Sequence, residues 1–165
     1  ALRLLVRRGG HVFPGAPIAM LSVPVAGAEE AIRANTALAE TRASADDAEN
    51  AVRQLVEVAV RALSPGINDP HTAMSVLHRL GTALCDLAGS HLPNGVTLRK
   101  GQVALVVPNA SYASLVDLMF HMVLQNAEGT PAVLIRLLDT LTAVAPCEPD
   151  APRRQVLLDL TLLPI

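Results

Sequence analysis

Polar and apolar residues recur with a helical period through the middle of the chain. Between positions 46 and 63, polar side chains fall on one side of a helical wheel and nearly all others are apolar. Such a wide apolar arc predicts a core helix that is packed on more than one side. The polar side carries an i, i+4 series that can form ion pairs, namely Glu49, Arg53, Glu57 and Arg61. Acceptors and acids precede the helix and suit its N-terminal end, namely Ser44, Asp46 and Asp47.

A sharp corner follows this helix, with the sequence Ser64-Pro65-Gly66-Ile67-Asn68-Asp69-Pro70. Pro65 disfavours helix at the residue before it, and we expect Gly66 to take the left-handed conformation that ends helices. Asp69 is a good N-cap, and Pro70 suits the first position of a new helix. That helix extends to Gly89 and has a leucine-rich stripe at spacings of three and four, namely Met74, Leu77, Leu80, Leu84 and Leu87.

The flanking sequence predicts smaller elements and further helices. Short apolar runs at 2–7 and 17–23 predict two strands, and residues 29–40 can form a helix. Further along we expect a hairpin (96–99 and 102–107, joined by Lys100-Gly101), helices at 111–127, from Thr130 and at 150–160, and a linker at 146–149. The predicted fold class is therefore α+β: mainly α with small β elements. It is a helical bundle around the central helix-corner-helix, plus the short N-terminal strands and the β-hairpin. We expect a single domain, 1–165, with a small β element at 1–25 and a helical core at 46–165 that includes the hairpin at 96–107.

The composition indicates more apolar surface than is usual for a soluble domain. Of the 165 residues, 51% are hydrophobic and only 17% are charged, and the mean hydropathy is +0.39. No stretch reaches the roughly 18 uninterrupted apolar residues of a membrane span. A buried oligomer interface or a neighbouring membrane segment would account for the surplus, and we expect a homo-oligomer. Residue 1 is Ala, so we also expect the chain to be a fragment of a longer protein.

The formal charge of −2, the absence of a basic cluster and the near absence of aromatic rings argue against a nucleic-acid partner. Cys85 and Cys147 lack the CxxC spacing of a zinc site and give no disulfide framework. We expect Cys85 to be a core residue.

The corner is the strongest candidate for a binding site. Five polar residues cluster there at the start of a helix, where free N–H groups and the helix dipole favour an anion: Ser64, Asn68, Asp69, His71 and Thr72. Asp69 and His71 could instead share a metal, with Asn68 as an oxygen ligand, and we leave the metal open. The alternative is structural: Asp69 caps the helix, Asn68 bonds the turn backbone and His71 faces solvent.

Two other arrangements imitate sites. His71, His78 and Cys85 are spaced by seven, but seven helical residues rise about 10.5 Å, too far for one ion. Asp117 and His121 are four apart and can touch, and Ser111 or Ser114 would complete a hydrolytic trio. No strained nucleophile turn accompanies these serines, so we interpret them as a solvated face.

The segment from Arg53 to Ala73 resembles the signature of a bacterial family, domain of unknown function 2254. The match is carried by the leucine-valine-glutamate helix and by the run Ala-Leu-Ser-Pro-Gly-Ile-Asn-Asp-Pro-His-Thr-Ala that ends it. The segment 11–18 and the helix pair after Ser111 extend the resemblance. Those proteins are predicted integral membrane proteins with no known reaction. The resemblance implies that this chain is the C-terminal part outside the bilayer, facing the cytoplasm at the bacterial inner membrane, with membrane helices in a preceding segment.

The glycine turns near the N-terminus also resemble those of biotinyl-lipoyl-like barrels, but no lysine lies at the tip, and we expect no cofactor. Three functions stay open. The first is a non-enzymatic interaction or assembly module. The second is a regulatory module that binds an ion or small ligand at the Asn68-Asp69-Pro70-His71 corner. The third is a metal-assisted hydrolase, although no ligand set is readable and we lean against an enzyme.

Overall fold

The structure, a computed structural model, describes residues 1–40 and 48–162. These residues divide into two compact units, one of 1–40 with 93–110 and the other of 48–92 with 111–162. In the described ranges they form six α-helices, a short 3-10 helix and one four-stranded sheet, which confirms the α+β fold class. The predicted N-terminal residues Ser44, Asp46 and Asp47 lie outside those ranges.

The first unit is a small mixed sheet with one short helix. Its strands lie in the order β2-β1-β4-β3, where β1 and β4 are parallel and the other neighbours are antiparallel. The elements are β1 (Leu2–Leu4), β2 (Ala19–Leu21), α1 (Ala28–Ala34), β3 (Val96–Arg99) and β4 (Gln102–Val106).

The hairpin of β3 and β4 is confirmed at its predicted turn. Lys100 and Gly101 both have positive φ, 53° and 76°, as the tight two-residue turn requires. At the open end, Val107 N–H donates to Gly95 O over 2.8 Å. A Cβ on Gly95 would lie 1.8 Å from Val107 O, so only glycine fits there.

The N-terminal elements are shorter than the sequence predicts. The strands expected at 2–7 and 17–23 pair over three residues each. The helix expected at 29–40 ends at Ala34, because Asn35 and Thr36 turn their side chains back onto the carbonyls of Ala31 and Ile32. Such local bonds compete with helix continuation.

The second unit is a helical bundle and contains the hydrophobic core. The helix expected from 46 is described from Ala48, and its main partners are the helix after the corner and the one after the hairpin. The elements are α2 (Ala48–Ala62), α3 (Pro70–Leu87), α4 (Tyr112–Asn126), α5 (Pro131–Val144), the 3-10 helix (Ala145–Cys147) and α6 (Ala151–Thr161). The central side chains include Phe120, Leu77, Leu80, Leu84, Met119, Leu137, Leu141 and Leu157.

Helix α2 is less enclosed than its apolar arc predicts. Val52, Val56 and Ala59 are buried, whereas Ala51 and Val58 are exposed. On the polar side, the pairs Glu49–Arg53 and Glu57–Arg61 form as the spacing predicts.

Helices α3 and α5 cross closely at a glycine. A Cβ on Gly81 would lie 2.6 Å from Thr140 Cγ2 and 3.5 Å from Val144 Cγ2. The absent side chain therefore lets the two helices approach.

Candidate functional site

In the corner between α2 and α3, the left-handed residue is Asn68, whereas the sequence predicts Gly66. Gly66 does not adopt positive φ. Asn68 does, at 48°, and asparagine tolerates the left-handed region better than most residues. The chain continues for one more turn after α2, since Ile67 N–H and Asn68 N–H both donate to Ser64 O. The reversal therefore falls two residues later than predicted.

Asp69 is an N-cap whose two carboxylate oxygens are both bonded. Thr72 N–H donates to Asp69 Oδ1 over 3.1 Å, and Thr72 Oγ1 donates to Oδ2 over 2.6 Å. These bonds from Thr72, with a smaller contribution from His71, hold the pKa of the Asp69 carboxyl below 3.8. Pro70 follows at the first helical position, as predicted.

The other candidate residues of the corner have local roles or face solvent. The Ser64 hydroxyl donates to Arg61 O over 2.7 Å. The side chains of Asn68 and His71 are exposed, and His71 is close enough to Asp69 to lower its pKa further. The corner thus brings Asp69, Thr72 and His71 together and leaves Ser64 bonded to the preceding helix. Binding of an ion or ligand by these five residues stays a prediction.

The other arrangements considered from sequence lie on surfaces. His121 Nδ1 is 3.8 Å from Asp117 Oδ1 on the exposed side of α4, so these residues touch as the spacing predicts. Ser111 caps α4, and its hydroxyl accepts from Ser114 N–H. Within residues 1–40 and 48–162, no three His, Cys, Asp or Glu side chains come close enough to hold a metal ion.

A second polar cluster is buried in the helical unit, and sequence reasoning missed it. Glu148 is only 1% exposed, although it falls in the segment expected to be a linker. Its Oε1 accepts from Asp150 N–H over 3.1 Å, and Arg154 donates to its backbone carbonyl. Among the described residues, neither Glu148 Oε2 nor Tyr112 Oη has a hydrogen-bond partner.

Tyr112 interacts electrostatically with Glu148 and Arg153. Burial, and then the negative charge of Glu148, raise the pKa of the Tyr112 phenol to about 12, while Arg153 opposes the rise. The Arg153 guanidinium lies 5.3 Å from the centroid of the Tyr112 ring and donates to Ser90 O over 2.9 Å. A glutamate before a proline, two residues before the N-cap Asp150, gives no sequence signal of burial.

The two cysteines also lie in this region as free thiols. Cys85 is partly buried against the core, near its expected place, and Cys147 is exposed. Burial raises the pKa of the Cys85 thiol, and the neighbouring Cys147 raises it further.

The described residues comprise a helical bundle and a small sheet, and they hold no cluster of side chains that could bind a metal. Residues 1–143 match the family described as "Predicted membrane protein (DUF2254)", and the chain belongs to that family. Among the described residues, no helix is both long enough and apolar enough to cross a bilayer.

Relatives of this chain are uncharacterized proteins of mycobacteria. One from Mycobacterium bovis and two from Mycobacterium tuberculosis strains are each 38% identical to it over 104 residues. The match covers 62% of this chain and 20% of each relative, so the chain spans about a fifth of their length. No solved structure matches the chain.

Proposed function

We propose that this chain is a non-enzymatic assembly module of its membrane protein, and that its first unit packs against a second copy of the chain. The proposal rests on the different burial of side chains in the two units. No described residue of the first unit is buried, whereas every core residue of the described chain belongs to the second unit. A sheet needs a covered apolar face to be stable, and this unit contributes too little cover of its own.

Exposed apolar side chains concentrate in the same unit. Most of the large exposed hydrophobic residues in the described ranges belong to it, far more than scattered surface positions require. They are Leu5, Phe13, Met20, Val23, Val25, Leu38, Val96, Leu98 and Val103.

The hairpin gives this surface a defined face. Val96 pairs with Val106, and Leu98 pairs with Val103, so these cross-strand neighbours share one side of the hairpin. Leu98 is 61% exposed and Val103 is 47% exposed. A twofold dimer presents the same patch from both copies, so an apolar face of this kind can pack against its own copy. We call Val96, Leu98, Val103 and Val106 the hairpin face.

Sedimentation velocity on the 165-residue chain tests the proposal with a matched pair of variants. Leu98→Glu places a charge on the hairpin face, and Thr97→Glu places the same charge on the opposite side of the same strand. We expect the wild type and Thr97→Glu to sediment as an oligomer, and Leu98→Glu to associate at least about tenfold more weakly, since burying an unpaired charge is costly. A monomeric wild type, or equal behaviour of the two variants, would contradict the proposal. Circular dichroism checks that both variants fold.

The location of the module is part of the same proposal. Family membership supports a setting beside membrane segments, and the resemblance at the corner supports the inner membrane with this part facing the cytoplasm. Fusion of a cytoplasm-active fluorescent reporter and of a periplasm-active phosphatase to the C-terminus of the full-length protein tests the orientation. Fluorescence without phosphatase activity is expected, and the reverse pattern would place the module on the other side.

A further inference from the structure

The two cysteines of this chain lie where two helical segments converge. Helix α3 approaches α5 at Gly81, one helical turn before Cys85. Further along, a Cβ on Gly89 would lie 3.5 Å from Pro149 Cγ, so the backbones are also close beyond the cysteines. Cys85 lies between the two glycines, and Cys147 lies between the segments that they contact, residues 140–144 and Pro149.

Contacts on both sides of the cysteines bring their two segments together. Gly81 lies against Val144. Cys85 follows Gly81 by one helical turn on α3, and Cys147 follows Val144 by three residues at the end of the 3-10 helix. A side-chain hydrogen bond with Cys147, and its charge, also act on the Cys85 thiol, as expected of neighbouring side chains. A disulfide needs Cα atoms about 4.4–6.8 Å apart, a separation that a glycine-mediated helix crossing permits.

We propose that Cys85 and Cys147 form a reversible disulfide within one chain when the protein meets a small-molecule disulfide. The exposed Cys147 thiolate attacks one sulfur of the reagent, a mixed disulfide forms, and the first small thiolate leaves. Cys85 then attacks Cys147 Sγ as a thiolate and displaces the second small thiolate. The two protein thiols are oxidised, the reagent is reduced to two thiols, and these take up the two protons.

The order of attack follows from exposure. Cys147 is exposed, so the reagent reaches it first, whereas Cys85 is partly buried and burial raises the pKa of its thiol. The second step needs the Cys85 thiolate, so it accelerates as the pH rises.

The bond would fasten the C-terminal segment to the core. Cys147 immediately precedes the buried Glu148 and the cap of α6, and the same segment is already tied to the end of α3 by Arg153 and Ser90. The closed loop has roughly 60 residues, a length for which cross-linking restricts the unfolded chain strongly. Oxidation would then hold α6 against the bundle.

Oxidised glutathione, followed by alkylation, peptide mass mapping and non-reducing electrophoresis, tests the proposal on the 165-residue chain. We expect a monomer that has lost two hydrogens, a peptide pair joining Cys85 to Cys147, and a melting temperature about 5–10 °C higher than that of the reduced protein. Dithiothreitol should reverse all three changes.

Single variants separate the two steps and keep the test decisive. Cys85→Ser should accumulate the glutathione mixed disulfide at Cys147, and Cys147→Ser should be modified several-fold more slowly at Cys85. Neither variant should gain thermal stability on oxidation. Covalent dimers as the main product, or wild-type protein capped by glutathione at both cysteines, would overturn the proposal.

Discussion

Asp69 holds the start of α3 through both of its carboxylate oxygens. Thr72 supplies both donors, one from the backbone and one from its hydroxyl, so the ionised acid is favoured in the folded chain. Because the folded pKa is below 3.8, this contribution to stability is complete above 3.8 and is lost as the pH falls further, through the folded value.

Asp69→Asn should therefore lower the melting temperature at neutral pH, since the amide is a weaker acceptor than the carboxylate. The difference from wild type should close as the pH falls below 3.8. Thermal unfolding from neutral to acid pH measures it, and Asp86→Asn at the other end of α3 is the matched control. A difference that stays constant into acid would show that the charge of Asp69 has no part in the cap.

A second variant at the corner, Asp69→Ala, tests the ligand hypothesis for Ser64, Asn68, Asp69, His71 and Thr72. A panel of divalent metals, phosphate compounds and nucleotides is run on wild type and on Asp69→Ala. A ligand at about 100 times its Kd should stabilise wild type by roughly 2.7 kcal/mol. If the corner binds it, the variant should lose that shift. Equal shifts in both proteins would leave the corner with its capping role alone.

Tyr112 offers a direct probe of the buried cluster, because the chain has one tyrosine and no tryptophan. Ultraviolet titration should give a midpoint of about 12, and Glu148→Gln should lower the pKa while Arg153→Gln should raise it. Since the folded pKa lies above the ordinary value of 10, stability should fall as the pH rises past 10. A midpoint of 10 in the folded wild type would mean that the ring is solvated.

At the scale of elements, the crossing of α3 and α5 depends on the missing side chain of Gly81. Alanine is the better helix former by about 1 kcal/mol, but its Cβ would lie 2.6 Å from the buried, β-branched Thr140. The clash should outweigh the gain in helix propensity, so we expect Gly81→Ala to lower the free energy of unfolding by about 1–3 kcal/mol.

Thr140→Ser removes the methyl group that Gly81→Ala would strike and keeps the hydroxyl that donates to Arg136 O. In a double-mutant cycle measured by urea unfolding, the serine should restore much of the stability lost by the alanine. Additive effects of the two substitutions would contradict a steric crossing at this point.

The elements that the sequence predicted well are those with local causes. Asp69, Ser111 and Asp150 cap their helices with side-chain oxygens, and Lys100-Gly101 turns the hairpin, because each depends on neighbours in sequence. Thr130 marks its helix start correctly, although the side chain makes no capping bond there.

Two features that the sequence did not predict depend on packing between distant segments. The burial of Glu148 and the approach of Cys85 to Cys147 arise where the end of α5 passes the end of α3. In addition, the left-handed residue of the corner is Asn68 and not Gly66, because one further turn of backbone hydrogen bonds follows α2. Residue spacing carries no information about either effect.

At the scale of the molecule, apolar surface is distributed unevenly. The helical unit encloses a core, whereas the sheet unit exposes apolar side chains and has no buried residue in the described ranges. This imbalance agrees with the high mean hydropathy of a chain that has few charges. It is the reason for proposing assembly through the hairpin face.

Hydrogen exchange of the hairpin at two protein concentrations tests assembly most directly. Association stabilises the bound state by mass action, so local opening of residues 96–106 should become rarer as concentration rises. We expect slower amide exchange across β3 and β4 in the concentrated sample, with core amides of α3 changing little. Identical exchange of the hairpin at every concentration would contradict assembly through this face.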